Sequence, residues 1–256
     1  MIAKKTPEEF EHMRHAGKVL ARVLDTLEKK VAPGVRTDEL NDEAMRLMEE
    51  YGAEPVLLGY HPEFAPRPYP AAICTSVNNV IVHGVPTEHP ITLMEGDIIG
   101  IDCTLAYEGM IVDSARTVPV GKIDEKAALL LRVTKEAREA GIAAARPGNT
   151  IGDIGFAIQE CIAPYGFGIV EELSGHGVGY AVHEPPFVPN YGKKGEGERI
   201  EVGMALAIEP MVNEGGKDVI FDEEGGYVVE TADGSRSAHF EHTVIITENG
   251  PEVVTT

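Results

Sequence analysis

Two histidines seven positions apart, His176 and His183, stand in SGHGVGYAVHEPP (174–186), among glycines and ahead of an acid and two prolines. Neither helix nor strand periodicity accounts for that spacing. A histidine beside glycine is most often a loop residue, so a chemical reading of this pair depends on acids elsewhere in the chain. In GIDCTLAYEGMIVDSARTV (100–118), β-prone stretches flank AYEG, which reads as a hairpin turn. A turn centred on Tyr107 and Glu108 sets Asp102 opposite Asp113. Directly opposed side chains in a hairpin lie about 5 Å apart at Cβ. With an effective dielectric of about 20, two carboxylates at that distance repel by roughly 3 kcal/mol. A strand pair tolerates this if one carboxyl stays protonated or if a cation sits between the two. The bland alternative is an off-centre turn with both aspartates on a solvated edge.

Two further acids have apolar surroundings: Glu209 in GMALAIEPMV and Glu241 in SAHFEHTVIIT. Either alone reads as an edge residue with its head in water. Jointly, four acids on apolar strands together with His176 read differently. Four carboxylates and two divalent cations sum to zero charge, which makes a buried dinuclear site reasonable and an empty buried cluster unreasonable. Oxygen-rich ligation with one imidazole suits Mn²⁺, Fe²⁺ or Co²⁺, with Zn²⁺ also acceptable. The lack of any Cys-x-x-Cys pair argues against a structural thiolate zinc site.

Ligands spread so widely need elements to bring them together, and the chain repeats its elements. Thr6, Pro7 and Glu9 form a helix-start signature, followed by Phe10, Met13, Ala16, Gly17, Leu20, Val23, Leu24 and Leu27 at helical spacing. A second helix follows PGVRTDEL and runs to about residues 49–52. At an offset of 114, PGVRTDELNDEAMRLMEEYG (33–52) matches PGNTIGDIGFAIQECIAPYG (147–166) in length, opening and close. Leu40, Ala44, Leu47 and Met48 fall on Ile154, Ile158, Cys161 and Ile162, and the preceding helices align as 10–31 against 124–145. GDIIGID (96–102) and GMALAIE (203–209) both end an apolar strand on an acid. The reading is one domain, 1–256, of two fused halves, roughly 10–121 and 124–250, related by a pseudo-twofold axis, with a site where they meet. Between them, residues 59–90 run from a proline-rich loop into strands, without a linker or low-complexity tract.

The 256 residues carry a net charge of −20 and 43% hydrophobic content, enough apolar material for one large core. Such acidity argues against nucleic acid as a partner. The three cysteines, Cys74, Cys103 and Cys161, fit a reducing compartment better than a disulfide framework. MIAKKTPEEFEHMRHAGKVL lacks the apolar core of a signal peptide, and no stretch approaches the ~20 apolar residues of a membrane span. A cytoplasmic, membrane-free protein is expected.

The order Asp102, Asp113, GHG (175–177), HEPP (183–186), IEPMV (208–212) and FEHTV (240–244), with ICTSVNNVIVHGVP (73–86), resembles the methionine aminopeptidases of the bacterial type I class. The likeness spans essentially the whole chain, and the 26 residues from His183 to Glu209 leave no room for the helical insertion of the type II class. It implies an α/β pita-bread fold: two pseudo-symmetric halves with helices packed on a curved, mainly antiparallel sheet. It also implies two divalent ions (Co, Mn, Fe or Zn) held by Asp102, Asp113, His176, Glu209 and Glu241, with Asp113 and Glu241 bridging. By the same resemblance, Glu209 shuttles a proton, His183 donates to the carbonyl oxygen of the tetrahedral intermediate, and His83 contacts the scissile nitrogen. Thr104 would support a metal ligand. Tyr60, Tyr69, Cys74, Val182 and Tyr227 would line a slot for the methionine side chain. Here the chain departs from the family, which commonly has an aromatic at Val182, a tryptophan near Tyr227 and a cysteine at Val82, and a shorter form of 61–70. The implied substrate is the N-terminal Met of nascent polypeptides with a small second residue. A monomer and transient ribosome contact follow by analogy alone.

Three competitors remain. Xaa-Pro aminopeptidases and dipeptidases share the fold but carry a large extra N-terminal domain, whereas 101 residues precede Asp102. A metal-free pita-bread binding protein should lack one or more of the five ligands. A nucleotide-binding reading of GHGVG lacks the full glycine fingerprint and its following acid.

Overall fold

The computed structural model describes residues 2–62, 65, 67–222 and 226–256. Its helices are α1 (Pro7–Lys30), α2 (Thr37–Tyr51), α3 (Glu125–Ala144) and α4 (Ile151–Ile162). The Thr6 hydroxyl accepts from Glu9 N while Glu9 reaches back to Thr6 N, so the start of α1 is capped twice. Asp124 caps α3 through Ala127 N at 2.8 Å. Gly52 closes α2 in the left-handed conformation, φ 68°.

The strands, in chain order, are β1 (Glu54–Pro55), β2 (Ile73–Val77), β3 (Val80–Val82), β4 (Ile98–Tyr107), β5 (Met110–Pro119), β6 (Gly168–Ile169), β7 (Ser174–Gly177) and β8 (Glu184–Pro189). They continue with β9 (Ala205–Ile208), β10 (Met211–Asn213), β11 (Val219–Phe221), β12 (Val229–Thr231), β13 (Ser237–His239), β14 (His242–Thr247) and β15 (Gly250–Val253). Every described pairing is antiparallel. Strand β4 pairs with β5 on one edge and with β1 and β2 on the other. A five-stranded sheet runs β15-β14-β9-β7-β8, and β13-β10-β6 and β11-β12-β3 form smaller sheets.

Apolar faces of α1 and α2 pack on β2, β4 and β5 through Leu20, Leu24, Leu27, Met48, Ile99 and Ile101. A second core joins α3 and α4 to β9 and β14 through Leu130, Ile154, Ile158, Leu206, Ile208 and Val244. Of the eight helix positions aligned above, seven are buried and Cys161 is half-buried. The two larger sheets meet where Glu241 N donates to Ala115 O at 2.9 Å. There the Thr243 hydroxyl also accepts from Asp113 N and donates to Asp113 O, both at 2.8 Å. Two acids from distant parts of the chain are thereby set side by side.

The hairpin differs from its expected register. The turn falls on Glu108–Gly109, with φ of 50° and 78°, and pairs Tyr107 with Met110. Two positive φ values match the twist of a two-residue hairpin. Asp102 therefore opposes Ala115, and Asp113 opposes Thr104. The aspartates keep to one face, diagonal rather than directly opposed. Asp102 also lies within β4 rather than at its end, whereas Glu209 directly follows β9.

Candidate metal centre

Alternation in β4 and β5 turns Asp102 and Asp113 towards one cavity. β7 brings His176, the end of β9 brings Glu209, and the approach to β14 brings Glu241. That cavity, about 360 Å³, is lined by all five, by His83, His183 and His239, and by Val82, Leu173, Phe187 and Met211 among others. His176, Glu209 and Glu241 are 4%, 9% and 1% exposed, so their charges face little water. The ligand atoms of Asp113, His176 and Glu241 lie within 4.8 Å of one another, as do those of Glu209, His239 and Glu241. Glu241 belongs to both groups.

Local contacts aim these side chains. His176 Nδ1 is 2.9 Å from Gly177 O, which places its proton on Nδ1 and leaves Nε2, 3.3 Å from Glu209 Oε1, as a lone-pair donor. A Cβ at Gly177 would lie 2.5 Å from Pro185 O, so the neighbouring glycine permits a close backbone approach. The Thr104 hydroxyl donates to Asp113 Oδ1 at 2.8 Å. Asp102 Oδ1 and Glu241 Oε1 are buried without a hydrogen-bond partner.

Burial raises all four carboxyl groups: Asp113 to about 7, Glu209 to about 8, and Asp102 and Glu241 well above the ordinary range, the last two helped by the charge of Asp113. Desolvation lowers His176 to about 3 and His83 and His239 to about 4, with neighbouring histidines adding repulsion at His176 and His83. Carboxyl groups raised this far by burial stay charged in such a cluster only where cations compensate them.

His83 takes the left-handed conformation, φ 61°, at the end of the β2–β3 excursion. Gly84 follows, where a Cβ would lie 2.0 Å from Thr75 O. His183 stands at the solvent-facing mouth, 4.4 Å between ring centroids from His176, with its Nδ1 2.8 Å from the Tyr60 hydroxyl. Burial still lowers its pKa.

Tyr60, Tyr69, Cys74, Val182 and Tyr227 are not among the residues around the cavity. Tyr69, Cys74 and Tyr227 pack with Leu57 and Ala71 into an adjoining apolar cluster. Tyr69 meets Tyr227 edge-on at 5.0 Å, and Cys74 opposes Asp102 in the β2–β4 ladder. Val182 is buried outside that cluster. Of the 61–70 segment, Glu63, Phe64 and Pro66 lie outside the described residues. Sequence reasoning missed His239, whose Nε2 is 3.1 Å from Glu209 Oε2. Its signal was the spacing in AHFEH: His239 and Glu241, two apart in extended chain, share a side.

The profile of metallopeptidase family M24 matches residues 11–248. Methionine aminopeptidase of Clostridium acetobutylicum is 44% identical, with 100% of this chain and 99% of that one covered. Methionine aminopeptidase 1 of Bacillus subtilis is 42% identical over the same shares. Among solved structures, methionine aminopeptidase from Rickettsia prowazekii superposes with a TM-score of 0.94 at 39% identity, covering 100% of both chains. Prolidase from Pyrococcus furiosus reaches 0.72 at 26% identity, and the match covers 99% of this chain but 65% of that one. Both solved structures share the pita-bread arrangement, and the three aminopeptidases match this chain end to end. Buried acids and an imidazole at one sheet junction, within a fold and sequence matched over their full length, lead to one conclusion: the chain belongs to metallopeptidase family M24.

Proposed function

We propose that this chain is a divalent-metal aminopeptidase that removes the N-terminal Met of polypeptides with a small second residue. The observation that carries the reading is the convergence of Asp102, Asp113, His176, Glu209 and Glu241 on one buried cavity, in a chain matched end to end by methionine aminopeptidases. The donor set fits cations: two buried carboxylate oxygens lack any partner, and His176 offers an unprotonated nitrogen. Those five residues would hold two divalent ions. When bound, the ions supply Lewis acidity, which polarises the scissile carbonyl and lowers the pKa of water in the site.

The remaining work belongs to side chains of this protein. Glu209 accepts the proton that the attacking water loses and returns it to the departing amine. The Tyr60 hydroxyl is 2.8 Å from Nδ1 of His183; in the tautomer where Nδ1 accepts from it, the ring proton sits on Nε2 and donates to the oxyanion of the tetrahedral intermediate. His83, kept neutral by burial, contacts the scissile nitrogen. Tyr60, Tyr69, Cys74 and Tyr227 would hold the methionine side chain through apolar and sulfur–aromatic contacts, supported by the place of Cys74 opposite Asp102. We further propose a single catalytic domain whose halves, 10–121 and 124–250, form the pseudo-repeat. It would act as a monomer on new polypeptides in the cytoplasm. No helix among the described residues is long and apolar enough to cross a membrane.

The test pairs two peptides with metal control. Protein stripped with a chelator should be inactive, recover on addition of Mn²⁺ or Co²⁺, and release Met from Met-Ala-Ser much faster than it cleaves Ala-Pro-Ala. Preference for the proline peptide overturns the assignment, and so does activity that ignores metal.

A further inference from the structure

The segment ahead of α1 reaches across the molecule to the turn that carries His183. Lys5 is 5% exposed, and its ammonium lies 2.6 Å from Glu184 Oε2. The other oxygen of that carboxylate accepts the backbone N–H groups of Tyr180 and Ala181, the latter at 2.9 Å. Glu184 thus ties residues 180–184 into a closed turn, and Lys5 compensates its buried charge. The Tyr180 ring lies 4.8 Å from the same ammonium, and its hydroxyl donates to Glu9, in the first turn of α1, at 2.8 Å. Gly179 has φ +137°, and a Cβ there would lie 2.5 Å from Lys5 Cε. Lys5 N donates to Gly203 O at 2.8 Å, so the strap is itself anchored. Neither Lys5 nor Glu184 lines the cavity; His183, next to Glu184, does.

We propose that Lys5 and Glu184 are positioning residues that fix the 180–184 turn so that His183 is held ready to donate to the substrate's oxyanion. This rests on the reading of His183 given above. The Glu184 carboxylate that Lys5 pairs with bonds the backbone of this turn directly, and a displacement of about 1 Å at a donor can lower turnover up to about a hundredfold. The 2.8 Å contact with Tyr60 and the 4.4 Å contact with His176 are the distances that such a shift would lengthen.

Lys5→Met keeps the aliphatic stem and removes the ammonium. In the full-length, metal-loaded protein, kcat for Met-Ala-Ser should fall roughly tenfold or more, with KM within about twofold and bound metal unchanged. Lys5→Arg should recover most of that loss. Glu184→Gln, which retains an oxygen for the two N–H groups, serves as the second variant if Lys5→Met folds poorly. The deciding measurement is a double-mutant cycle: in a His183→Ala background, Lys5→Met should lower kcat no further. A lower melting temperature with unchanged kcat overturns the clamp, as does an equal loss in both backgrounds. Near-normal turnover of His183→Ala alone rejects the role of His183 itself, which separates the two failures.

Discussion

Neutral imidazoles and buried acids divide the tasks in this cavity according to which of them keeps a proton free for substrate. His183 has its Nδ1 occupied by Tyr60 and stands at the mouth, so it is equipped to donate without binding metal. His183→Ala should therefore leave folding and metal content unchanged and lower turnover by roughly two powers of ten or more, the usual effect of removing one oxyanion donor. Turnover within a few-fold of the parent would remove that role. Glu209 allows no such separation, because its carboxylate would serve both metal and proton. The four acids were legible in sequence because charged groups on apolar strands demand compensation, whereas His176 was picked out by its GHG segment, through the resemblance to the methionine aminopeptidases. His239 was not, because a lone histidine in a strand makes no comparable demand and its partner Glu209 lies 30 positions away. The walls Leu173, Phe187 and Met211 were equally hidden, since apolar residues on strands look alike whether they face a core or a cavity.

Register and close approach decide how well elements carry these groups. The hairpin shows what periodicity can and cannot resolve. Moving the turn by one residue slides the pairing by two, which leaves every side chain on its original face. Alternation was thus blind to the difference between Asp102 opposite Asp113 and Thr104 opposite Asp113. The glycine of Glu108–Gly109 carried the missing information, because a two-residue turn of the type seen here, with positive φ at both positions, favours glycine. Helix α1 supplies a sharper case. Gly17 lies mid-helix, where alanine would ordinarily gain about 1 kcal/mol. A Cβ at Gly17, however, would lie 2.0 Å from Val254 O, in a segment tied to β14 by Val254 N to Thr243 O at 3.1 Å. Backbone cannot yield as a side-chain tip does. Gly17→Ala should destabilise by about 1–3 kcal/mol, the range for overpacking, read as a lower urea midpoint. An unchanged or higher midpoint would mean that the contact is loose.

On the scale of the whole molecule, the formal charge of −20 overstates what the surface carries, because four of its carboxylates converge on one desolvated site. Stability without metal should therefore depend on pH in a way that surface charge alone does not produce. Burial holds Asp113 at about 7 and Glu209 at about 8 and raises Asp102 and Glu241 well above the ordinary carboxyl range, so the folded metal-free protein keeps protons that the unfolded chain has already released. A state that binds more protons is destabilised as pH rises, by about 1.4 kcal/mol per pH unit for each proton of difference. The buried histidines act oppositely: His176 and His242, held at about 3, and His83 and His239, at about 4, stay neutral while the unfolded chain takes up protons. Their effect fades as pH rises through the ordinary histidine pKa of about 6.5. Between about pH 6.5 and 8 the acids outweigh the fading histidine contribution, and the melting temperature of the metal-free protein should fall across that window. Saturating Mn²⁺ should flatten the fall, because cations keep the carboxylates ionised in the folded state and bind more tightly as protons leave. The metal-induced rise in melting temperature should accordingly be larger at pH 8 than at pH 6.5. A metal-free melting temperature that holds level or climbs over the same interval would show that the four acids do not share one buried, proton-retaining site.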